Sequence, residues 1–332
     1  MVRLPNFLRN LLKTHPQTAS RNIEPPLFIT GLMRSGTTFL VSKVVSHPQL
    51  LKVGDELDKV WDHIGGAQIG AKCVHKTEED ASSEFTYQMS NYFFDYLQES
   101  KGLKRHLMRA ANKYNKGFGR IFHDWENIIP VNKSPHLVNK MEYVLALFPT
   151  SKFVYIIRDI RGHSASMKVH FNFYRTKKGK VAFLPEHELD CWSLVDETSE
   201  MELGSKSYPP NFALLPQMWI RLNRIGLLTA KKLGTDKVMV VQYEDLIENQ
   251  ENLMKKIFDF IGTHDKHRQE TERIAGLKMS NINTTTKGNS LEKWKTTLTE
   301  EEKGTLNRCI EEHQSEYDEV LALTQELKVH KL

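Results

Sequence analysis

The sequence predicts an α/β protein in which a doubly wound parallel sheet forms a single domain. Short runs rich in β-branched and aromatic residues alternate with longer segments of helical periodicity, which is the order of elements found in such sheets. Two runs, FVYII at 153–157 and VMVV at 238–241, are continuously apolar, as expected for strands buried on both faces. A loop with two glycines, residues 31–38, follows the first predicted strand at 27–30, at the sheet edge where ligands of this fold class bind.

Strands and helices are predicted from these patterns in alternation. The strands are placed at 27–30, 50–53, 128–132, 153–157 and 238–242. The helices are placed at about 37–46, 79–98, 101–116, 136–147, 160–170, 212–233, 244–261 and 300–326. Stretches near 204–216 and 277–295 are polar or contain Pro and Gly, which predicts loops or lids.

The composition is that of an ordinary globular protein. Hydrophobic residues make up 39% and charged residues 26% of the 332 positions, and no apolar run reaches the roughly 18 residues that a membrane span requires. A net charge of +5 permits an anionic ligand but is too mild to predict nucleic-acid binding. Three dispersed cysteines form no CxxC pair, so we predict neither a zinc site nor disulfides, and a reducing, cytoplasmic location.

Residues 1–24 form a basic amphipathic segment ahead of the domain, which is predicted at 25–330. The segment contains no acid before Glu24, and one face of a helix would carry four leucines, Leu4, Leu8, Leu11 and Leu12. Two interpretations stay open for this segment. It either packs on the domain as a short helix or contacts a membrane surface peripherally.

Residues 31–38, GLMRSGTT, are predicted to form a P-loop-like phosphate-binding loop. Gly31 and Gly36 have the spacing of such loops, and a helix follows, so its N-terminal N–H groups can bind an anion. A planar cation and hydroxyl groups add further donors, from Arg34, Ser35, Thr37 and Thr38. Thr37 stands where nucleotide triphosphatases have a lysine that reaches the outer phosphates, which indicates a ligand with a less charged 5′ group.

A second phosphate-binding pair follows the fourth predicted strand. Arg158 comes directly after FVYII, and Ser166 lies eight residues later, about two turns into the next helix. An arginine and a hydroxyl in this arrangement suit a separate phosphate at the 3′ position of the same nucleotide. Without the first loop, Arg158 and Asp159 could equally be an ion pair at a helix start.

With both motifs in this order, the sequence resembles the sulfotransferases that use 3′-phosphoadenosine 5′-phosphosulfate (PAPS). RSGTT at 34–38 matches their loop for the 5′-phosphosulfate, and strand–Arg–x₇–Ser matches their 3′-phosphate motif. The resemblance covers residues 26 to about 299. It implies PAPS as co-substrate, adenosine 3′,5′-bisphosphate (PAP) as product, and no metal. Asn-Lys-Ser-Pro at 132–135 is most similar to the tyrosylprotein and glycan-type branch.

Two further segments extend the resemblance towards the chain end. In VVQYEDL, the family pattern implies that Tyr243 lies near the adenine. In TTKGNSLEKWK, it implies that Lys287 and Gly288 close over the 3′-phosphate. The gap between Lys287 and Trp294 is one residue longer than the usual pattern, and Trp294 is alternatively a core residue of a lid.

Sulfuryl transfer requires cations and a base, and the resemblance suggests residues for both tasks. Arg34 and Lys133 are the predicted cations, which would steady the charge on the leaving phosphate and on the transferred group. Two residues compete for the role of base. Glu56, in KVGDELD after the second strand, matches the position of the base in the tyrosylprotein branch, and we favour it. His136 is the alternative, because small-molecule sulfotransferases have a His just after the lysine.

The sequence says less about the acceptor. The tyrosylprotein branch has an arginine two residues beyond the base that helps to bind acidic peptides, and this chain has Asp58 there. We therefore expect a small-molecule, lipid or glycan hydroxyl as acceptor, although a basic helix at 101–120 would suit an anionic glycan. Two other functions stay open, a P-loop-type kinase and a nucleotide-binding protein without catalytic activity. The missing loop lysine and the 3′-phosphate motif disfavour the kinase.

Overall fold

The computed structural model describes residues 23–67, 75–101, 123–173, 212–277 and 291–328. Its strands are β1 (Leu27–Thr30), β2 (Leu50–Lys52), β3 (Ile129–Lys133), β4 (Lys152–Ile157) and β5 (Val238–Gln242). They form one parallel sheet in the order β2-β3-β1-β4-β5. The predicted fold class is confirmed, and each predicted strand is present to within one residue at either end.

Helices cover both faces of this sheet. They are α1 (Thr37–Val44), α2 (Asp58–His63), α3 (Ser83–Ser100), α4 (Met141–Leu147), α5 (Ile160–Phe173), α6 (Leu214–Leu233), α7 (Tyr243–Glu248), α8 (Gln250–Ile261), α9 (Arg268–Gly276), α10 (Trp294–Thr297), α11 (Glu300–Glu312) and α12 (Gln314–Leu327). Short 3₁₀ turns lie at Glu78–Asp80, Pro135–Leu137 and Asp265–His267.

Several predicted helices differ from the structure in detail. The helix predicted at 244–261 divides at Asn249, and the one at 300–326 divides at His313, because neither residue has helical backbone angles. The helix predicted from 136 begins as a 3₁₀ turn and becomes α-helical only at Met141. Helices α2, α9 and α10 were not predicted. Helix α2 has six residues, α10 has four, and α9 buries only Ile274 and Ala275, so none gives a strong periodic signal.

Some predictions fall on residues that the structure does not describe. These include the N-terminal segment up to residue 22, most of the basic helix expected at 101–120, and the end of the domain near 330. The predicted membrane contact and domain bounds therefore stay predictions. Among the described helices, none combines the length and the apolar character needed to cross a bilayer.

Apolar residues from alternate positions of the strands form a core on each face of the sheet. On one face, the Phe28 ring packs against Trp61, Phe93 and Phe153 at centroid distances of 5.3–6.2 Å. On the other face, the neighbouring Ile29 belongs to a separate cluster that includes residues of α1, β4 and α8. Because both faces are covered, polar side chains at the carboxyl ends of the strands are the ones that can reach a ligand.

The sheet order brings three sequence motifs to one edge. β1 pairs with β3 on one side, where Ile29 is opposite Lys133, and with β4 on the other, where Thr30 is opposite Tyr155. The loop after β1 therefore lies between the ends of β3 and β4. This is also where the strand order changes direction, which is the usual ligand site of an open α/β sheet.

Candidate active site

The loop between β1 and α1 has a backbone conformation that depends on its glycines. Gly31 has φ of 132° and Gly36 has φ of 102°, in the region that favours glycine. A Cβ atom on Gly31 would overlap the carbonyl oxygen of Ile156, and one on Gly36 would lie 2.5 Å from the Tyr243 ring. The loop is thus pressed against β4 and against the start of α7, with the N-terminus of α1 directly behind it.

Arg34 joins the two phosphate motifs. Its Nε donates to the Ser166 hydroxyl at 3.2 Å, and its carbonyl oxygen accepts from Nη1 of Arg158 at 3.1 Å. Residues that are 124 and 132 positions apart in the chain are therefore in direct contact. The two predicted cationic groups form one continuous site at the ends of β1 and β4.

Arg158 is held through both its side chain and its backbone. The group lies over the Tyr243 ring, 4.5 Å from the centroid, and the Arg158 carbonyl accepts from the Trp219 indole N–H at 2.8 Å. Burial lowers the pKa of Arg158 below its usual value. A cation with little solvent around it attracts an anion more strongly than an exposed one does.

The loop fits an anionic ligand. Ser35 is fully buried, and its hydroxyl has no hydrogen-bond partner among the described residues. A buried polar group without a partner is costly, and a ligand oxygen would relieve that cost. Thr37 is buried, whereas Thr38 is exposed to solvent. Together with Arg34 and the α1 N-terminus, these groups form a suitable cradle for a phosphate or phosphosulfate.

A cavity of about 310 Å³ continues from this site past Arg158. It is lined on one side by Arg161, Gly162 and Glu244 and on the other by the segment around Trp294. The Arg161 guanidinium lies 5.2 Å from the centroid of the Trp294 ring. Trp294 is only partly buried, and it packs against an apolar cluster that joins α5 to α11. Lys287 and Gly288 lie outside the described residues.

On the other side of the loop, Lys133 and Glu56 form an ion pair. Lys133, the last residue of β3, is only 3% exposed, whereas the Glu56 side chain is 31% exposed. Asn132 sets this geometry, because its buried amide donates to the carbonyls of Val53 and Asp55 at 3.2 Å. No role for Asn132 was predicted from the sequence. The available signal was a polar residue inside an otherwise apolar strand, next to the predicted cation.

Asp58 and His136 lie beside this ion pair. One ligand-type atom from each of Glu56, Asp58 and His136 lies within 4.8 Å of the others. Such a trio could offer ligands to a divalent cation, but the Lys133 ammonium already contacts Glu56. The absence of a metal from the reaction stays a prediction.

The two neighbours of Glu56 have opposite pKa shifts. Burial, followed by the nearby Glu56 charge, raises the pKa of Asp58 to about 6. Burial is also the main cause that lowers the pKa of His136 to about 4, so its imidazole is neutral at physiological pH. A carboxylate with a raised pKa beside an ion pair is often found at functional sites.

We expect Asp58→Asn to stabilise the protein at pH 7.5. The folded-state pKa of Asp58 lies above its ordinary value of 3.8, so the folded state binds the proton more tightly, and this group costs stability increasingly as the pH rises from 3.8 to about 6. Allowing for partial exposure, the gain should be on the order of 1 kcal/mol. Urea unfolding at pH 7.5 and pH 4.5 would check this. If Asp58→Asn raised the free energy of unfolding equally at both pH values, the raised pKa of Asp58 would be contradicted.

Comparison with known proteins identifies the family. The model of the sulfotransferase family matches residues 25–267. This chain belongs to the sulfotransferase family. The resemblance predicted from its motifs is confirmed. A protein-tyrosine sulfotransferase of Drosophila melanogaster is 25% identical over 271 residues, which is 79% of this chain and 42% of that protein. The chain thus spans less than half the length of this curated relative.

Solved structures of sulfotransferases also align with most of the chain. The sulfotransferase domain from the Synechococcus PCC 7002 olefin synthase is 17% identical, with a TM-score of 0.45, and the match covers 91% of this chain and 98% of that domain. Mouse sulfotransferase SULT7A1 complexed with PAP is 12% identical, with a TM-score of 0.45, and the match covers 92% and 89% of the two chains.

Proposed function

We propose that this protein transfers a sulfuryl group from PAPS to a hydroxyl acceptor and releases PAP. The observation that carries the proposal is the contact of Arg34 with both Arg158 and Ser166. Two adjoining cationic groups suit a nucleotide that carries anionic groups on both its 5′ and 3′ positions. Membership of the sulfotransferase family supports the same reaction class.

The binding residues follow from this proposal. Arg34 to Thr38, at the N-terminus of α1, would hold the 5′-phosphosulfate, and Arg158 with Ser166 would hold the 3′-phosphate. Tyr243, whose ring packs on both Gly36 and Arg158, would lie near the adenine. Lys287 and Gly288 would complete the 3′-phosphate site, as the motif resemblance implies.

The ion pair is suited to the proton transfer. When bound, PAPS supplies the sulfuryl group and the leaving phosphate, so that one S–O bond forms to the acceptor and another breaks. Glu56 takes the hydroxyl proton of the acceptor. Once Glu56 is neutral, the charge on Lys133 is no longer balanced by its partner. The ammonium, together with Arg34, then stabilises negative charge that develops next to the loop.

Glu56 is the better candidate for the base than His136. Burial lowers the pKa of His136 to about 4, which removes the advantage that an imidazole ordinarily has over a carboxylate as a base. After burial, the Glu56 charge raises the pKa of His136, and the charges of Lys140 and Lys133 lower it. The neutral imidazole is better suited to contact the acceptor or to fill the space beside Glu56.

For the acceptor, we propose a broad class of hydroxyl compounds. A small-molecule, lipid or glycan hydroxyl fits best, because Asp58 adds negative charge next to Glu56 and would repel an acidic peptide. The name of the Drosophila relative makes a tyrosyl hydroxyl a further acceptor to test. No nucleic-acid partner is proposed, and the three dispersed cysteines support a cytoplasmic location.

Two measurements test this function. PAP should raise the melting temperature of the purified protein, whereas ATP with magnesium should have little effect. PAPS with labelled sulfate should label a product in an extract of the source cell, and identifying that product would give the acceptor. Stronger protection by ATP than by PAP would favour the kinase. PAP binding without any labelled product would favour the nucleotide-binding protein without catalytic activity.

A further inference from the structure

Arg34 has an unusual backbone conformation for a residue with a side chain. Its φ is 71°, in the left-handed region that an arginine rarely adopts, so the surrounding structure must impose it. The conformation is important because it lets one residue offer its side chain to Ser166 and its carbonyl to Arg158. Something must therefore hold the peptide groups on either side of the Arg34 Cα.

The peptide group after Arg34 is held by Arg158, and the one before it is held by His163. Nε2 of His163 lies 3.1 Å from the Met33 carbonyl oxygen. Because a carbonyl can only accept, the Nε2 position carries the proton and the imidazole is the donor. With both flanking peptide groups fixed, the φ and ψ angles of Arg34 are fixed as well.

His163 is suited to this task by burial and charge. The side chain is completely buried on α5, three residues before Ser166, and its Nδ1 has no partner among the described residues. Burial, and then the charge of Arg158, lowers the pKa of His163 to about 3, so the ring is neutral. A neutral donor can contact the loop without repelling the two arginines that a phosphate ligand requires.

We propose that His163 is a positioning residue for the phosphate-binding loop, whose neutral Nε2–H holds the Met33 carbonyl and thereby keeps Arg34 aligned with Ser166 and Arg158. The inference rests on the proposed function in so far as the aligned arginines bind PAP. It adds a residue that lies at an unspecified position of the second phosphate motif. Its role is distinct from ligand contact, because the imidazole acts through the backbone of the loop.

Variants that keep or remove the donor test the proposal. His163→Leu fills a similar volume but cannot donate, and it should weaken PAP binding by roughly tenfold or more, as expected for the loss of a buried hydrogen bond. His163→Gln retains an N–H donor on a flexible side chain and should stay within about threefold of the wild type. Isothermal titration calorimetry with PAP measures both. Should the Leu variant not fold, His163→Asn, whose donor is too short to reach Met33, takes its place.

His47→Leu is the matched control. His47 is equally buried, its Nε2 lies 3.2 Å from the Thr271 hydroxyl, and its Nδ1 accepts from the backbone N–H of Gln49 at 3.2 Å. It lies at the opposite end of α1 from the loop. The control should lose stability while its folded form binds PAP like the wild type. PAP binding that is equal in His163→Leu and the wild type, or lost equally in the Leu and Gln variants, would overturn the proposal.

A second readout needs no ligand and separates this inference from the proposed function. Hydrogen–deuterium exchange of the free protein should be faster at the amides of 33–37 in His163→Leu, and unchanged there in His163→Gln and His47→Leu. Unchanged exchange in His163→Leu would overturn the positioning role. If the wild-type protein failed to bind PAP but the three variants showed this exchange pattern, the proposed nucleotide would be wrong and the role of His163 would stand.

Discussion

Replacing Glu56 by Gln should lower kcat for sulfuryl transfer by about 10²- to 10⁴-fold, the usual contribution of a general base. Gln keeps the volume of the side chain and an oxygen that can accept from Lys133, but it cannot take a proton. PAP affinity should change little, because Glu56 lies on the side of the loop away from Arg158 and Ser166. Turnover is measured with the acceptor identified by labelled sulfate, and PAP affinity by calorimetry.

Asp55→Asn is the control for this variant. Asp55 lies in the same loop and also pairs with a lysine, Lys52, but its side chain is 85% exposed. The Asp55→Asn variant should retain nearly full activity. His136→Gln should lower the rate less than Glu56→Gln does. The opposite order would assign the base to His136, and unchanged turnover in both variants would remove the base from this part of the site.

Replacing Arg158 by Ala should weaken PAP binding by about 10- to 100-fold and weaken 5′-AMP binding considerably less. A hydrogen bond to a charged group contributes roughly 1.5–3 kcal/mol, and only PAP has the 3′-phosphate that the guanidinium would bind. Some loss for 5′-AMP is expected too, since Arg158 also donates to the Arg34 carbonyl. The difference between the two ligands, measured by competition binding, is therefore the diagnostic quantity.

Arg268→Ala is the control for Arg158. Arg268 is the first residue of α9 and does not line the cavity beside Arg158, and its side chain is 79% exposed and pairs with Glu272. Its loss should change the affinity for both nucleotides by less than about threefold, since exposed ion pairs contribute little. Equal losses of PAP and 5′-AMP affinity in Arg158→Ala would contradict the assignment of the 3′-phosphate to Arg158.

The sheet and the phosphate loop could be predicted from sequence because their signals are local. Continuous β-branched and apolar runs occur where strands are buried on both faces, and this holds for 153–157 and 238–241. The helix breaks at Asn249 and His313 have no Gly or Pro to signal them. Gln250, just after the first break, donates to the Leu277 carbonyl at 2.8 Å. Such a contact depends on the tertiary structure, and periodicity does not reveal it.

The site could be predicted only in part, for a similar reason. The sequence motifs contain Arg34, Arg158 and Ser166, but the contacts between these residues follow from the pairing of β1 with β4. The raised pKa of Asp58 depends on burial and on how close Glu56 lies in the folded chain. His163 was not predicted at all, because its donor reaches a backbone carbonyl 130 positions away.

Calorimetric titration of the wild-type protein with PAP, 5′-AMP and 3′-AMP tests most directly whether a single nucleotide spans both cationic groups. We expect one PAP per chain, bound at least about 100-fold more tightly than either monophosphate, and complete displacement of both monophosphates by PAP. If PAP bound no more tightly than 5′-AMP, or left bound 3′-AMP in place, the two groups would not serve one nucleotide and the proposed reaction would be wrong.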